Sequence, residues 1–397
     1  MAATLDPKTS YGDTTLRIAS VSDEIILTDP MATPTLKYLS PNMDNLSVDA
    51  ISDPYYWVED SLMPMATTLA SVKLTTGETA TFEVAAGYGE YLRKGTVVRI
   101  DDELILVGTT TDASKGTDDV GKIATSGRGF GGSTAALHAT TATVYFVGQA
   151  TLETESAWDS FYVTPTMPYN QFQVFSVPVE LTRVAQATQQ YGISNPQSYH
   201  EDKALTDLMK LVNRSIFNGW RRSATSSYPG AFGAFPDTTA AYIHSTHRSA
   251  QSSVALAEST IEGGMQTCFE DVGSDNMPKV LVCNAWAKRK ISSWWENRAR
   301  IERGETSIGL VVDRIETDFG PLDVLLDYLC PPNALYLLNP ANIGIGPLKG
   351  NGQNLAFSWY DIPYSSIGNL RVLWGAYTME MRAPKTHYAI TGFSTTT

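Results

Sequence analysis

Between Pro278 and Gly350 the apolar pattern changes period several times, and few folds accept that succession. Lys279-Val280-Leu281-Val282-Cys283 reads as a buried strand. Asn284 then opens a helix that Gly304 closes. A hairpin follows from Ile308 to Tyr328, turning at Asp318-Phe319-Gly320-Pro321. Another apolar strand, Leu335-Tyr336-Leu337-Leu338, completes the run.

At 397 residues the whole chain is long enough for two or three domains. With 43% hydrophobic and 18% charged residues, it buries a sizeable core. Cys268, Cys283 and Cys330 are odd in number and far apart, with no CxxC and no Cys/His ladder. Neither a disulfide framework nor a zinc site is implied, and a reducing, intracellular folding environment fits. No run of 18 apolar residues occurs, and MAATLDPKTSYGDTT lacks the basic-then-apolar pattern of a signal peptide, so no membrane partner is expected.

Charge narrows the function classes. A net charge of −13 argues against a dedicated nucleic-acid binder, whose affinity comes from clustered cations releasing counterions. The densest basic group, Lys288, Arg289, Lys290, Arg298, Arg300 and Arg303, falls on one helix. It reads as a solvated face or as an intersubunit salt-bridge face.

Along the chain, residues 1 to about 65 are rich in Asp, Ser, Thr, Pro and Met, with short apolar pieces at Glu24–Leu27 and Leu36–Leu39. Such a segment suits an arm lying on neighbouring chains, or else a loose tail. Tyr55-Tyr56-Trp57 is too apolar for a free loop and is expected to dock on another element or subunit. From Ala70 to about Gln149 the residues alternate with period two, and Asp101-Asp102 marks a tight hairpin turn. This predicts a compact β-domain, a small barrel or sandwich. Phe172–Thr182 is extended, with Pro178 marking an edge strand or a break.

Ser198-Tyr199-His200-Glu201 has the form of a capping box just after Pro196. Leu205, Leu208, Met209, Val212, Ile216 and Trp220 then form a helical stripe running to about Arg222. A second helix is predicted from Ser249 to Asp271, with a kink or close contact at Gly263-Gly264. Leu370–Arg382 alternates as one long strand, and His387–Phe393 is expected to pair beside it.

The candidates for chemistry are weak. Gly127-Arg128-Gly129-Phe130-Gly131-Gly132-Ser133-Thr134 looks like a phosphate cradle, but it lacks the Walker lysine and no helix follows; a turn in the β-domain is the better reading. His244 and His247 form an HxxH spaced for one helix face, without further ligands at a diagnostic offset. His138, His200 and His387 stand alone. The carboxylates of Asp101-Asp102-Glu103 sit on a turn, which does not oppose an acid to a base. No residue is therefore assigned a catalytic, cofactor-binding or metal-ligating role, no cofactor is expected, and the chain is not expected to be an enzyme. Adjacent Trp294 and Trp295 cannot both face one core, so one is expected at the surface or an interface.

The series from about residue 50 to 393, sharpest between Lys279 and Leu348, resembles the major capsid proteins of tailed bacteriophages with the HK97-like fold. Within that fold it looks most like the variant whose extended loop carries a small inserted β-domain. The resemblance implies an α+β capsid fold with an amino-terminal arm (1–65), an inserted all-β domain (66–150) and the loop's return (151–197). A spine helix and peripheral domain (198–235), an axial domain (236–365) and closing peripheral-domain strands (366–397) follow. It further implies self-assembly into hexamers and pentamers of an icosahedral or prolate head around double-stranded DNA. Arm and extended loop would overlap neighbouring capsomers. Portal, scaffold and decoration proteins would be partners; with no long helical scaffolding segment evident, any scaffold would be a separate protein or already absent. Packaged DNA would lie in weak, non-specific proximity to an acidic wall that contains it without holding it. The location implied is the virion capsid, assembled in the host cytoplasm. Two other classes fit the same features, an encapsulin-like nanocompartment shell and a β-rich virion tail or adhesion protein.

Overall fold

Alternating residues become strands wherever one face can be buried, and the chain does this in two separate units. The structure is a computed structural model and describes residues 33–39, 48, 51–70, 81–110, 118–124, 127–154, 163–188, 193–296, 314–362 and 368–395. One compact unit is Val58–Thr166; the other combines Met1–Trp57 with Met167–Thr397.

The smaller unit contains β1 (Ala66–Thr68), β2 (Thr81–Ala85), β3 (Thr96–Ile100), β4 (Glu103–Thr110), β5 (Asp118–Ile123) and β6 (Thr143–Gln149). Their order is β1-β6-β3-β4-β5-β2, with every pairing antiparallel. A bridge from Leu69 to Val84 joins the two ends of that order and closes the sheet into a barrel. Leu69, Val84, Val98, Ile100, Ile105, Val107 and Val144 fill it. Asp101 takes a left-handed φ of 52° in the β3–β4 turn, a conformation Asp tolerates better than most residues.

Among the described residues the larger unit sets a six-stranded and a four-stranded sheet, with α-helices, around two main cores. Besides the short Arg183–Ala187, its α-helices are α1 (Pro34–Tyr38), α2 (Pro196–Asn218), α3 (Glu258–Val272) and α4 (Ala285–Glu296). Its described strands of three or more residues are β7 (Gln173–Thr182), β8 (Arg248–Ala250), β9 (Val280–Cys283), β10 (Arg314–Thr317), β11 (Gly320–Leu326), β12 (Ala334–Leu338), β13 (Ile343–Pro347), β14 (Ser358–Ile362), β15 (Gly368–Met381) and β16 (Tyr388–Thr391). The six-stranded sheet runs β8-β16-β12-β9-β11-β10. β9 and β12, buried at every position, form its middle. In the four-stranded sheet the long β15 pairs β7 along one edge and β13 and β14 along the other. β7 is an edge strand, which is where Pro178 can sit without costing a ladder bond.

One core packs α2 residues Leu208, Val212, Ile216 and Phe217 against Val280, Tyr336, Leu373 and Met379. The other packs α3 and α4 residues Ile261, Met265, Cys268, Ala287 and Ile291 against Leu281, Leu335, Leu337 and Ile390. Gly264 allows α3 to approach β16: a Cβ there would lie 2.9 Å from a ring carbon of Tyr388.

Several expectations are corrected. The cap of α2 is Asn195, whose side chain accepts from the N–H groups of Gln197 and Ser198, with Pro196 in the first turn. Glu201 instead accepts from Gln197 (2.6 Å) and pairs with Arg371 of β15 (2.6 Å). α2 stops at Asn218, leaving Trp220 beyond the helix, and Leu205 lies on its exposed side.

The second helix starts at Glu258 rather than Ser249. Arg248–Ala250 are drawn into parallel pairing with β16, and Ser252 and Ser253 take positive φ values of 46° and 68°. The last strand pairs β8 and β12 in the six-stranded sheet and not β15. Its residues Ala389 and Ile390 are buried there.

The first 60 residues also depart from a purely external arm. Leu39 and Trp57 belong to the chain's own core, and Val48 packs with Phe172 and Ala376. Thr35 N–H donates to buried Asp327 (3.3 Å) and Leu36 N–H to Asn213 (3.1 Å). The piece Glu24–Leu27, the residues of the basic helix beyond Glu296, its end at Gly304 and the start of the hairpin at Ile308 lie outside the described residues.

Candidate functional site

The glycine-rich loop does cradle an anion, and the anion is the chain's own. Glu103 opens β4 opposite Ile100 of β3. Cross-strand partners share a face, and Ile100 points into the barrel, so Glu103 is buried with it. That register was the signal by which a buried Glu103 could have been read from the sequence; as a member of an exposed hairpin tip it was misplaced.

Arg128 donates to both carboxylate oxygens, Nε to Oε1 at 2.5 Å and Nη2 to Oε2 at 2.8 Å. The N–H groups of Gly129 (3.1 Å) and Ala136 (2.9 Å) add two more bonds. His138, fully buried, sets Nε2 at 2.9 Å from Glu103 and Nδ1 at 2.7 Å from Asp101. Burial alone would raise the Glu103 pKa; the bonds from Arg128, Ala136, His138 and Gly129 outweigh it and hold it at about 2. The donors that a phosphate would need are already occupied by Glu103. The loop is a structural clasp, and His138 belongs to it rather than standing alone.

A second constellation imitates a catalytic triad. His247 places Nε2 at 2.8 Å from Asp271 Oδ2 and Nδ1 at 3.5 Å from Cys268 Sγ. Cys268 is fully buried, and burial pushes its thiol up to about 12, so no thiolate nucleophile forms at neutral pH. Lys385 completes the ion cluster on Asp271 at 3.2 Å. His244 and His247 lie in a single 3-10 turn before β8, not on one face of an α-helix.

His387, also fully buried, accepts the N–H of Asn339 at Nδ1 (3.2 Å) and faces the Arg382 carbonyl with Nε2 (3.2 Å). Only a neutral ring satisfies both. Burial, aided by the nearby His247, lowers its pKa to about 3 against the opposing Arg382 bond. Cys283 is pushed up to about 12 and Cys330 is raised further by burial. Among the described residues no group of three or more His, Cys, Asp or Glu could hold a metal ion, and no helix is long and apolar enough to cross a membrane.

What remains are surfaces. The Tyr55-Tyr56-Trp57 run docks on its own unit: Trp57 lies 5.9 Å from Tyr242 between ring centres, and Tyr55 donates to buried Glu380 at 2.9 Å. On the smaller unit Leu62, Met65, Tyr145 and Val147 are exposed; on the larger, Trp220, Tyr228, Phe269 and Tyr360 are. Trp294 is partly buried against the α3–α4 core. These exposed aromatic and apolar side chains are of the types enriched where proteins contact one another.

The family model of the SU10 major capsid protein matches residues 8–394. The chain belongs to the SU10 major capsid protein family. It is accordingly a structural protein of a virion capsid that self-assembles into capsomers, and not an enzyme. Its α+β fold is HK97-like. A capsid asymmetric unit of cyanophage A-1(L) superposes with a TM-score of 0.55 at 12% identity, covering 98% of this chain and 100% of that one. A structure from Mycobacterium phage Patience gives 0.43 at 10% identity, covering 63% and 77%. A holo-SrpI encapsulin complex from Synechococcus elongatus PCC 7942 gives 0.40 at 6% identity, covering 59% and 79%. No curated protein matches the sequence.

Proposed function

We propose that this capsid protein forms the head of a tailed bacteriophage, as hexamers and pentamers closing an icosahedral or prolate shell around double-stranded DNA. The observation that carries this reading is the match to a major capsid protein family across residues 8–394. The net charge of −13 supports a wall that contains DNA without binding it tightly.

In this reading residues 1–65 serve as the amino-terminal arm and the barrel is an insertion in the extended loop, 66–150, which returns over 151–197. Residues 198–235 hold the spine helix, 236–365 the axial domain and 366–397 the closing strands. Arm and loop overlap neighbouring capsomers, many weak contacts summing to a stable shell. Thr33–Leu39, anchored on Asp327 and Asn213, fixes the root of the arm. Portal, scaffold and decoration proteins complete the assembly in the host cytoplasm.

Cryo-electron microscopy of purified particles tests this. Five- and sixfold capsomers built from this chain around a nuclease-protected DNA filling support it. Particles filled with an enzyme cargo and free of DNA contradict it.

A further inference from the structure

A finger of the larger unit stands uncovered just past the end of α2. Arg222 and Ala231 exchange backbone bonds of 2.9 and 3.0 Å, and Thr225 and Tyr228 close the turn between them. Every residue from Arg222 to Pro229 is exposed. Arg221 turns inward, its Nη1 donating to the Tyr169 carbonyl at 2.9 Å and its guanidinium 4.0 Å from the Tyr169 ring centre. Its neighbours are left outside: Trp220 is 51% and Tyr228 55% exposed, and the Arg222 guanidinium lies 4.3 Å from the Tyr228 ring centre. Trp, Tyr and Arg are the residues that anchor protein interfaces.

The finger's charge is opposite to that of the chain. From Leu208 to Pro236 there are Lys210, Arg214, Arg221 and Arg222 and no Asp or Glu, in a polypeptide of net charge −13. A second copy supplies the complement. Of α1–α4, only α3 lacks Lys and Arg, while it carries Glu258, Glu262, Glu270 and Asp271. Glu262, Gln266, Phe269 and Glu270 are exposed at the i, i+4, i+7, i+8 spacing that shares one helix face. Phe269 there is 42% exposed and packs on Phe319 at 5.5 Å between ring centres.

We propose that the Trp220–Arg222–Tyr228 finger of one copy docks on the Glu262–Phe269–Glu270 face of α3 in a second copy. This rests on the shell reading and names the surfaces that join neighbours. Two different surfaces make the contact head-to-tail, the kind that closes into rings. Nucleic acid is the poorer occupant, because the finger offers one outward guanidinium and phosphate affinity needs several.

The test uses the full-length chain, counting assembled particles by sedimentation and electron microscopy, with melting temperature as a check on folding. Arg222→Glu and Trp220→Ala should melt as the parent does and yield about tenfold fewer particles or less. Arg222→Glu combined with Glu262→Arg and Glu270→Arg should restore the yield. Normal yields from the single variants overturn the inference while leaving the shell reading intact. Failure of the charge swap to restore assembly overturns the assigned partner surface. Normal shells that retain less DNA overturn it in favour of a nucleic-acid contact. A parent chain that forms no assembly contradicts the shell reading and the inference with it.

Discussion

Arg128 grips Glu103 inside the smaller unit by two parallel bonds, 2.5 and 2.8 Å long, and thereby turns a glycine-rich loop into a clasp across the barrel. Bidentate pairing of this kind is strong when water is excluded, and removing one partner strands a buried charge. Arg128→Ala should destabilise the barrel by about 3–5 kcal/mol. Arg128→Lys, which keeps the charge but not the fork, should fall between the two. Urea unfolding monitored by hydrogen exchange in β2–β6 measures both.

The two units should respond to acid in different windows. His387 has its pKa lowered from 6.5 to about 3, so the unfolded chain binds its proton first and the larger unit loses stability as pH falls through that interval. Glu103 has its pKa lowered from 4.5 to about 2, so its contribution is complete above 4.5 and is lost only as pH falls toward 2. Thermal melts across this range should show the larger unit weakening first. His387→Gln should flatten its slope between pH 6.5 and 3 without altering the barrel's.

Gly263 and Gly264 are neighbours in α3 with opposite surroundings. A Cβ on Gly263 meets nothing within 4 Å, so Gly263→Ala should stabilise the larger unit by up to about 1 kcal/mol. A side chain on Gly264 meets the Tyr388 ring at 2.9 Å and Leu337 at 3.2 Å, so Gly264→Val should cost about 1–3 kcal/mol. Denaturant midpoints of the two variants should move in opposite directions.

Asp327 ties three chain segments together. Its carboxylate accepts from Asn213 on α2 (2.8 Å), Thr35 (3.3 Å) and Leu329 (2.8 Å). Asp327→Ala strands these donors at about 1–3 kcal/mol each. Amide exchange at Thr35 and Leu36 should accelerate far more than at the β9 and β12 amides.

These residues also mark what the sequence made legible. Elements whose partners lie close in the chain, or whose period is long, were readable: the β3–β4 hairpin around Asp101, the α2 stripe through Leu208, Val212 and Ile216, and the alternation of β15. The misreadings concern choices settled by distant contacts. Ser198 competes with Asn195 as a cap, and Glu201 is drawn off by Arg371. Tyr388–Thr391 could have paired with β15, but β12 and β8 take them. Leu39 looked like part of an external arm because nothing nearby in sequence shows the cavity it fills. Glu103 looked like part of a hairpin tip and His138 looked isolated, because Arg128 and His138 sit 25 and 35 residues from the Glu103 carboxylate they bind.

The central claim is that this chain works by packing against copies of itself. Sedimentation velocity on the purified full-length protein tests it most directly. The account predicts capsomers and shells in place of a single slow species. A compact monomer that persists at every concentration and salt would contradict it.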